Sequence, residues 1–347
     1  MDRRKFFAAT GRKKTVKKIQ NPLPAIALMS ALAISPQASF GQATPETANI
    51  PQPHLAKARQ EAFKENNWRF PALITCYPNE GQPAQKIIND PGPARAADNL
   101  YFLGYGIVTA WAVDTSDGII LIDALSSQAE ADKYIIGGLQ KLGLDPSRIK
   151  TIIVSHGHGD HYGGAQYLKD KYGAKLYMSA LDYDFAEKFV GGPPTWGKAP
   201  RRDQVVVDGE SVTLGDTSIK LFITAGHTPA SLSMLVPVKD KGVGRTLLYL
   251  GGITNKGLSP EMHTAYDHWT TRLTQIGADA KVEGVIGNHP SYDDAAIKLD
   301  KLRSTPDKPN PFFSNTESAL RYLTVLKECN LNNWDIERAA IAPPRSR

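Results

Sequence analysis

From position 100 onward the apolar residues fall into short runs, either alternating or continuous, broken by glycine and polar turns. Runs at 100–103, 107–114 and 118–123 predict successive strands of a meander. The period then lengthens. Over 127–142, Ala129, Tyr134, Ile135, Leu139 and Leu142 share one helical face, with Asp, Glu and Lys on the other. Residues 151–154 predict a short buried strand, followed by a helix at 165–172, a strand at 174–178 and a helix at 181–189. Further strands are predicted at 205–207, 211–214, 218–224, 232–238, 246–250 and 282–286, with a helix at 264–276. A last helix, 318–328, follows Ser314-Asn315-Thr316-Glu317, a sequence of capping-box form. A meander followed by strand–helix alternation predicts an α/β sandwich, with helices on the outer faces of two sheets.

The first hundred residues read differently. Basic residues crowd positions 3–18, a modest apolar run covers 23–34, and Gly41 and Ala43 offer small residues for cleavage, so 1–43 reads as an export signal. Asp2-Arg3-Arg4-Lys5-Phe6-Phe7 resembles a twin-arginine signal, implying a periplasmic or secreted protein. Residues 44–97, rich in Pro, Ala, Gln and Asn, read as an extended arm with one helix within 52–70; Trp68, Phe70 and Tyr77 suggest that it packs on a body starting at 98. Removing residues 1–43 turns the formal charge of +6 into a body with 33 basic and 34 acidic side chains. A nearly neutral body implies no nucleic-acid partner. No apolar run beyond the signal is long enough to span a bilayer. Cys76 and Cys329 are the only cysteines; they either pair in an oxidising compartment or stand as two buried thiols.

The chemistry concentrates at 151–164, which reads T-I-I-V-S-H-G-H-G-D-H-Y-G-G. In an extended stretch residues two apart point the same way, so His156 and His158 can grip one ion. Asp160 and His161 fall past the turn, at the start of a helix, and can face a second ion. Imidazole with carboxylate suits zinc, and the absence of cysteine here excludes a thiolate site. Gly157, Gly159, Gly163 and Gly164 would let the backbone pass close to the metals without Cβ clashes.

This H-x-H-x-D-H string resembles the signature of the metallo-β-lactamase superfamily. The resemblance implies a third histidine for the first metal, matched by His227 in T-A-G-H-T-P-A-S, and a further ligand for the second, matched by His289 in V-I-G-N-H-P. It also implies a four-layer αββα sandwich, with Asp123 at a strand end orienting the metal-site loop. Gly191-Gly192-Pro193-Pro194-Thr195-Trp196-Gly197 falls where the superfamily carries a loop beside the site, so Trp196 would roof a substrate, with Phe189 nearby. The strand 247–255 carries neither the carboxylate nor the cysteine that other branches place there. The remaining set, His156/His158/His227 with Asp160/His161/His289, resembles subclass B3, as does the run H-P-S-Y-D-D…N-P-F-F-S-N-T-E-S-A-L-R-Y. One departure stands out: where that subclass uses a serine to hold the substrate carboxylate, this chain offers Thr254, Asn255, Lys256 and Ser259.

The resemblance implies two Zn2+ ions and a small-molecule substrate. The implied reaction is hydrolysis of a β-lactam amide by metal-activated water, with Asp160 orienting the nucleophile or relaying its proton. No G-x-S-x-G elbow marks a serine nucleophile. Two alternatives stay open: an exported hydrolase of the same fold acting on lactones or esters, and a zinc-binding protein without catalysis.

Overall fold

The computed structural model describes residues 52–64, 68, 71, 72, 75, 76 and 90–341. The expected export signal lies outside these residues, as do Phe70 and Tyr77 of the expected arm. The first sheet holds β1 (Ala94–Ala97), β2 (Leu100–Phe102), β3 (Trp111–Thr115), β4 (Gly118–Ile122), β5 (Ile149–Ile153), β6 (Lys175–Ser179) and β7 (Gln204–Val206), in that spatial order. Its first four strands are an antiparallel meander and β4 to β7 run parallel. The second sheet runs β12 (Val285–Gly287), β11 (Val243–Leu250), β10 (Leu232–Asp240), β9 (Thr217–Ile223), β8 (Ser211–Leu214). Only the β11–β12 pairing in it is parallel. The helices are α1 (Pro53–Phe63), α2 (128–141, with a π-helical stretch at Ala131–Ile136), α3 (Gly159–Tyr162), α4 (Ala165–Tyr172) and α5 (Ala180–Lys188). There follow α6 (Pro260–Asp279), α7 (Pro290–Asp293), α8 (Ala295–Ser304) and α9 (Thr316–Ile341).

Strand alternation sorts the side chains into layers. In β4, Ile120 and Ile122 face the space between the sheets, where they join Trp111, Ile153, Leu221, Met234, Leu247 and Tyr249. Ile119 and Leu121 point the other way, under α2 and α4, against Ile135, Leu139 and Leu168. A strand buried on both faces has to read as a continuous apolar run, as G-I-I-L-I does. On the outer face of the second sheet, Phe222, Leu248 and Leu250 pack under Tyr266, Trp269, Leu273, Tyr322 and Leu326 of α6 and α9. These layers are the α/β sandwich that the pattern predicts.

The departures have local causes. Strand β3 begins at Trp111 rather than at 107, because the preceding loop bends to the site: the Thr109 N–H donates to the Asn288 carbonyl (2.9 Å). Strand β1 lies inside the stretch read as arm, and its Ala-Arg-Ala-Ala carries no β-branched signal. Helix α8 is absent from the sequence reading because its buried face is only Ala295, Ala296 and Leu299. Helix α9 runs 13 residues past the predicted end at 328. Its second half buries Asn330 and Asn333, which bond to His263 and Asn255, so the apolar period vanishes. Asn315 rather than Ser314 caps that helix, accepting from the Ser318 N–H (2.7 Å), while Glu317 pairs with Arg321 (3.0 Å).

Trp68 stacks on Tyr322 (centroids 4.4 Å apart) and donates its indole N–H to the Ser318 carbonyl (2.7 Å). Cys76 is disulfide-bonded to Cys329, which resolves the alternative left open by the sequence in favour of pairing. No helix among the described residues is long and apolar enough to cross a membrane. The disulfide closes a loop of 253 residues, so reduction or Cys329→Ala should lower stability by about 2–5 kcal/mol. Denaturant midpoints with and without reductant would measure this; an unchanged midpoint would show the bond to be inert.

Candidate metal centre

Strands β4, β5 and β6 are parallel, so their C-terminal ends share one edge of the first sheet; β9, β11 and β12 likewise end together in the second. Asp123 leaves β4, the H-x-H-x-D-H turn leaves β5, His227 follows β9, and His289 follows β12. The topology therefore delivers all six predicted metal-site side chains to one rim of the sandwich.

They form two groups whose ligand atoms lie within 4.8 Å of one another: His156, His158 and His227; and Asp160, His161 and His289. In the first, His158 Nδ1 stands 3.1 Å from both His156 Nε2 and His227 Nε2. In the second, Asp160 Oδ2 lies 3.3 Å from His161 Nε2 and 3.8 Å from His289 Nε2. The His156 and His161 ring centroids are 4.3 Å apart, which makes the two groups one cluster.

The outward nitrogens are tied down. His227 Nδ1–H donates to the Thr254 carbonyl (3.2 Å) and His289 Nδ1–H to the Ile107 carbonyl (2.8 Å). That fixes the tautomer and leaves each Nε2 lone pair facing inward. His161 Nδ1 donates to Asp123 Oδ2 (3.0 Å). Asp123 also accepts from the Ser155 N–H (2.6 Å), the Ser155 hydroxyl (2.8 Å) and the Tyr249 hydroxyl (2.7 Å). Its backbone sits at φ +61°, a left-handed position costing on the order of 1–3 kcal/mol for a non-glycine residue. Asn288, beside His289, donates to the Gly251 carbonyl (2.6 Å) and joins the ends of β11 and β12.

Burial, then the neighbouring imidazoles, push His156 well below the ordinary histidine value. Burial lowers His158 to about 4, against the opposing Asp160 carboxylate, and lowers His227 to about 3 and His289 to about 4. His161 runs the other way: burial disfavours its charge, but Asp160 and Asp123 raise it to about 10. Burial opposes the Asp160 charge too, and His161 and His289 outweigh it, holding that carboxyl far below its usual range.

This donor set fits zinc. The inward Nε2 of His227 faces His158 Nδ1 at 3.1 Å, and the Nε2 atoms of His161 and His289 face the Asp160 carboxylate at 3.3 and 3.8 Å. Neutral imidazole with carboxylate is the form in which these side chains ligate it.

The remaining predicted residues divide. Trp196 does flank the cluster: it stacks on Phe189 (6.3 Å, 21°), whose ring stands edge-on to His158 (4.9 Å). Thr254 is exposed at the mouth and bonds the Tyr292 hydroxyl (2.8 Å), whose ring packs on His289 (4.9 Å). Asn255 instead turns inward and accepts from Asn333 (2.7 Å), and Ser259 caps α6 by accepting from the Met262 N–H (3.3 Å). The motif glycines also serve a different need from the one expected. A Cβ on Gly163 would overlap the Ser126 carbonyl and one on Gly159 the Trp196 ring, so the space they clear is for loop packing. Ser155, Tyr249, Asn288, Asp182 and Tyr292 escape sequence reasoning, because each looks like an ordinary strand or loop residue until partners from other elements arrive.

The pKa shifts set the pH response of the metal-free chain. His158, His227 and His289 refuse protons that the unfolded chain accepts near 6.5, so their contribution is present above pH 6.5 and lost as pH falls through about 4 to 3. His161 contributes fully below 6.5 and loses its share as pH rises through about 10. Chemical denaturation of chelated protein from pH 3 to 10 should show stability falling on both sides; a flat profile would contradict the charge assignment.

Residues 103–240 match the family model described as the metallo-beta-lactamase superfamily. The fold is similar to that of BJP-1, a subclass B3 metallo-beta-lactamase of Bradyrhizobium japonicum, with a TM-score of 0.64 and 25% identity over 74% of this chain and 98% of that one. FEZ-1 of Legionella gormanii shares the fold at a TM-score of 0.63 and 24% identity, over 74% of this chain and 99% of that one. Among curated relatives, a probable metallo-hydrolase of Burkholderia pseudomallei is 30% identical over 112 residues, 31% of this chain and 37% of that protein. A hydroxyacylglutathione hydrolase of Acidiphilium cryptum is 24% identical over 174 residues, 50% of this chain and 59% of its own length. The matches thus span between about a third and three fifths of those two relatives. Two sheets with a shared histidine rim, the family model matched over residues 103–240 and a structural likeness over 74% of this chain lead to one assignment: residues 103–240 carry a metallo-beta-lactamase superfamily domain.

Proposed function

We propose that this protein is an exported, zinc-dependent hydrolase that opens the amide of β-lactams in the manner of subclass B3. The observation that carries the reading is the pair of convergent ligand groups, one of three imidazoles and one of two imidazoles with a carboxylate, in which His158, His227, Asp160 and His289 are only partly buried. In this reading His156 Nε2, His158 Nδ1 and His227 Nε2 hold one zinc ion, and Asp160, His161 and His289 hold the other. Zinc bound there supplies Lewis acidity toward a carbonyl oxygen and toward water.

The chain's own groups do the rest. Thr254 and Ile107 carbonyls and the Asp123 carboxylate hold the rings with Nε2 inward, so that His227 and His289 present a lone pair and His161 gives up its Nε2 proton for an incoming ion. The Asp160 carboxylate, held ionised by His161 and His289, orients the attacking water or relays its proton. Phe189 and Trp196 wall one side against solvent, which strengthens electrostatic interactions within. The disulfide supports an oxidising, exported location.

A second reading, hydrolysis of lactones, esters or thioesters, is favoured by two observations. Asn255 and Ser259, two of the residues offered in place of the carboxylate-binding serine, are engaged elsewhere, and one relative is named a hydroxyacylglutathione hydrolase. Zinc-loaded protein should be assayed against a chromogenic cephalosporin, a carbapenem, and lactone and thioester panels. Cephalosporin turnover that is lost to a chelator and restored by zinc is expected, and His156→Ala and His289→Ala should each abolish it. Turnover confined to lactones or thioesters would select the second reading, and stoichiometric zinc without any turnover would reject both.

A further inference from the structure

Of the three imidazoles in the first group, His158 is the least supported through its own side chain. Its inward atom is Nδ1, and its ring packs edge-on against two adjoining phenyl rings, Phe185 (5.4 Å) and Phe189 (4.9 Å). Apolar edges confine a ring but do not fix its depth to a few tenths of an ångström. Its placement therefore depends on the backbone beneath it.

That backbone is held by Asp182. This residue stands on the first turn of α5, where Ser179 accepts from its N–H (3.3 Å), and its side chain is fully buried. A carboxylate at such a position ordinarily serves its own helix end. Here it leaves the helix. Oδ2 accepts from the Gly157 N–H (3.0 Å), between His156 and His158, and from the Thr228 hydroxyl (2.6 Å), next to His227. Oδ1 accepts from the Ala230 N–H (2.8 Å). The two loops come from different sheets, β5 in the first and β9 in the second. Asp182 and Phe185 on α5, with Phe189 just past its end, together form the seat of the Gly157–His158 turn. That seat is close-fitting: a Cβ on Gly157 would come within 2.7 Å of the Phe185 ring and 2.8 Å of the Asp182 carbonyl.

The geometry points to Asp182 as a positioning residue that sets the spacing of His156, His158 and His227, and hence the zinc affinity of that group alone. The inference rests on the reading that this group holds zinc. Asp123 serves the second group through His161 and also holds Ser155 beside His156, whereas every Asp182 bond lies beside a first-group ligand. Asp182→Asn keeps the shape but turns one acceptor into a donor facing N–H or O–H groups, forcing one loop away from the other.

Zinc affinity, measured by chelator competition, tests this in two backgrounds. With His289→Ala weakening the second group, Asp182→Asn should lower the affinity of the remaining ion about 10–100-fold. With His156→Ala breaking the first group, the same change should leave the remaining ion within about two-fold. Equal losses in both backgrounds, or no loss in either, would overturn the proposal. Wild-type protein that binds no zinc would refute the metal reading itself. Melting of each metal-free variant completes the comparison, because a purely structural carboxylate would lower the melting temperature while leaving the affinity of the folded chain unchanged. Should Asp182→Asn fail to fold, Thr228→Val, which removes one of the three donors, should show a smaller loss of the same site selectivity; its absence would be equally decisive against the proposal.

Discussion

Imidazoles brought within about 5 Å of one another at a partly dry rim cannot all be charged, and leaving water costs each one free energy. That constraint governs the structure around them. It is met by keeping His156, His158, His227 and His289 neutral and by placing the one stable positive charge, on His161, between two carboxylates. A centre built this way is poised for a cation at its neutral imidazoles, and one that binds at His161 must displace the proton on its Nε2.

Three buried carboxylates hold the arrangement, each from a different element. Asp123 accepts from Ser155, Tyr249 and His161 at the end of β4. Asp182 joins the β5 and β9 loops from the start of α5. Asp293 accepts from the Gly287 N–H (2.9 Å) and the Ala295 N–H (3.0 Å), fixing the turn around His289; burial raises its carboxyl to about 7. A carboxylate can take several donors at once, so one side chain can lock loops that share no secondary structure. The left-handed backbone of Asp123 is the local cost of aiming its carboxylate into the centre.

The mouth of the site is less determined than its floor. Phe189, Trp196, Tyr292 and Thr254 line it, and Ile107 and Val190 are exposed on loops beside it. The stretch 251–259 is anchored to the far side of the second sheet instead, through Asn255 to Asn333 and through the Gly257 N–H to Glu337. Substrate preference thus depends on side chains contributed by several loops, whereas the metal centre depends on strand ends.

The amino-acid pattern by itself determined most strands of the two sheets, most of their outer helices and the ends of the three strands that carry the ligands, because burial period and turn residues are local properties. It also marked the H-x-H-x-D-H turn, where the spacing of four ligands along six residues is already a geometry. Strand β1, helix α8 and the second half of α9 were illegible, since their burial comes from small or polar residues whose partners lie far along the chain. The same limit hid Asp182, Asn288 and Tyr249, and misdirected Asn255 and Ser259. A side chain's local sequence says what it can bond to, but the donors that face a buried carboxylate are chosen only when two sheets close on one another, and that choice belongs to the tertiary structure.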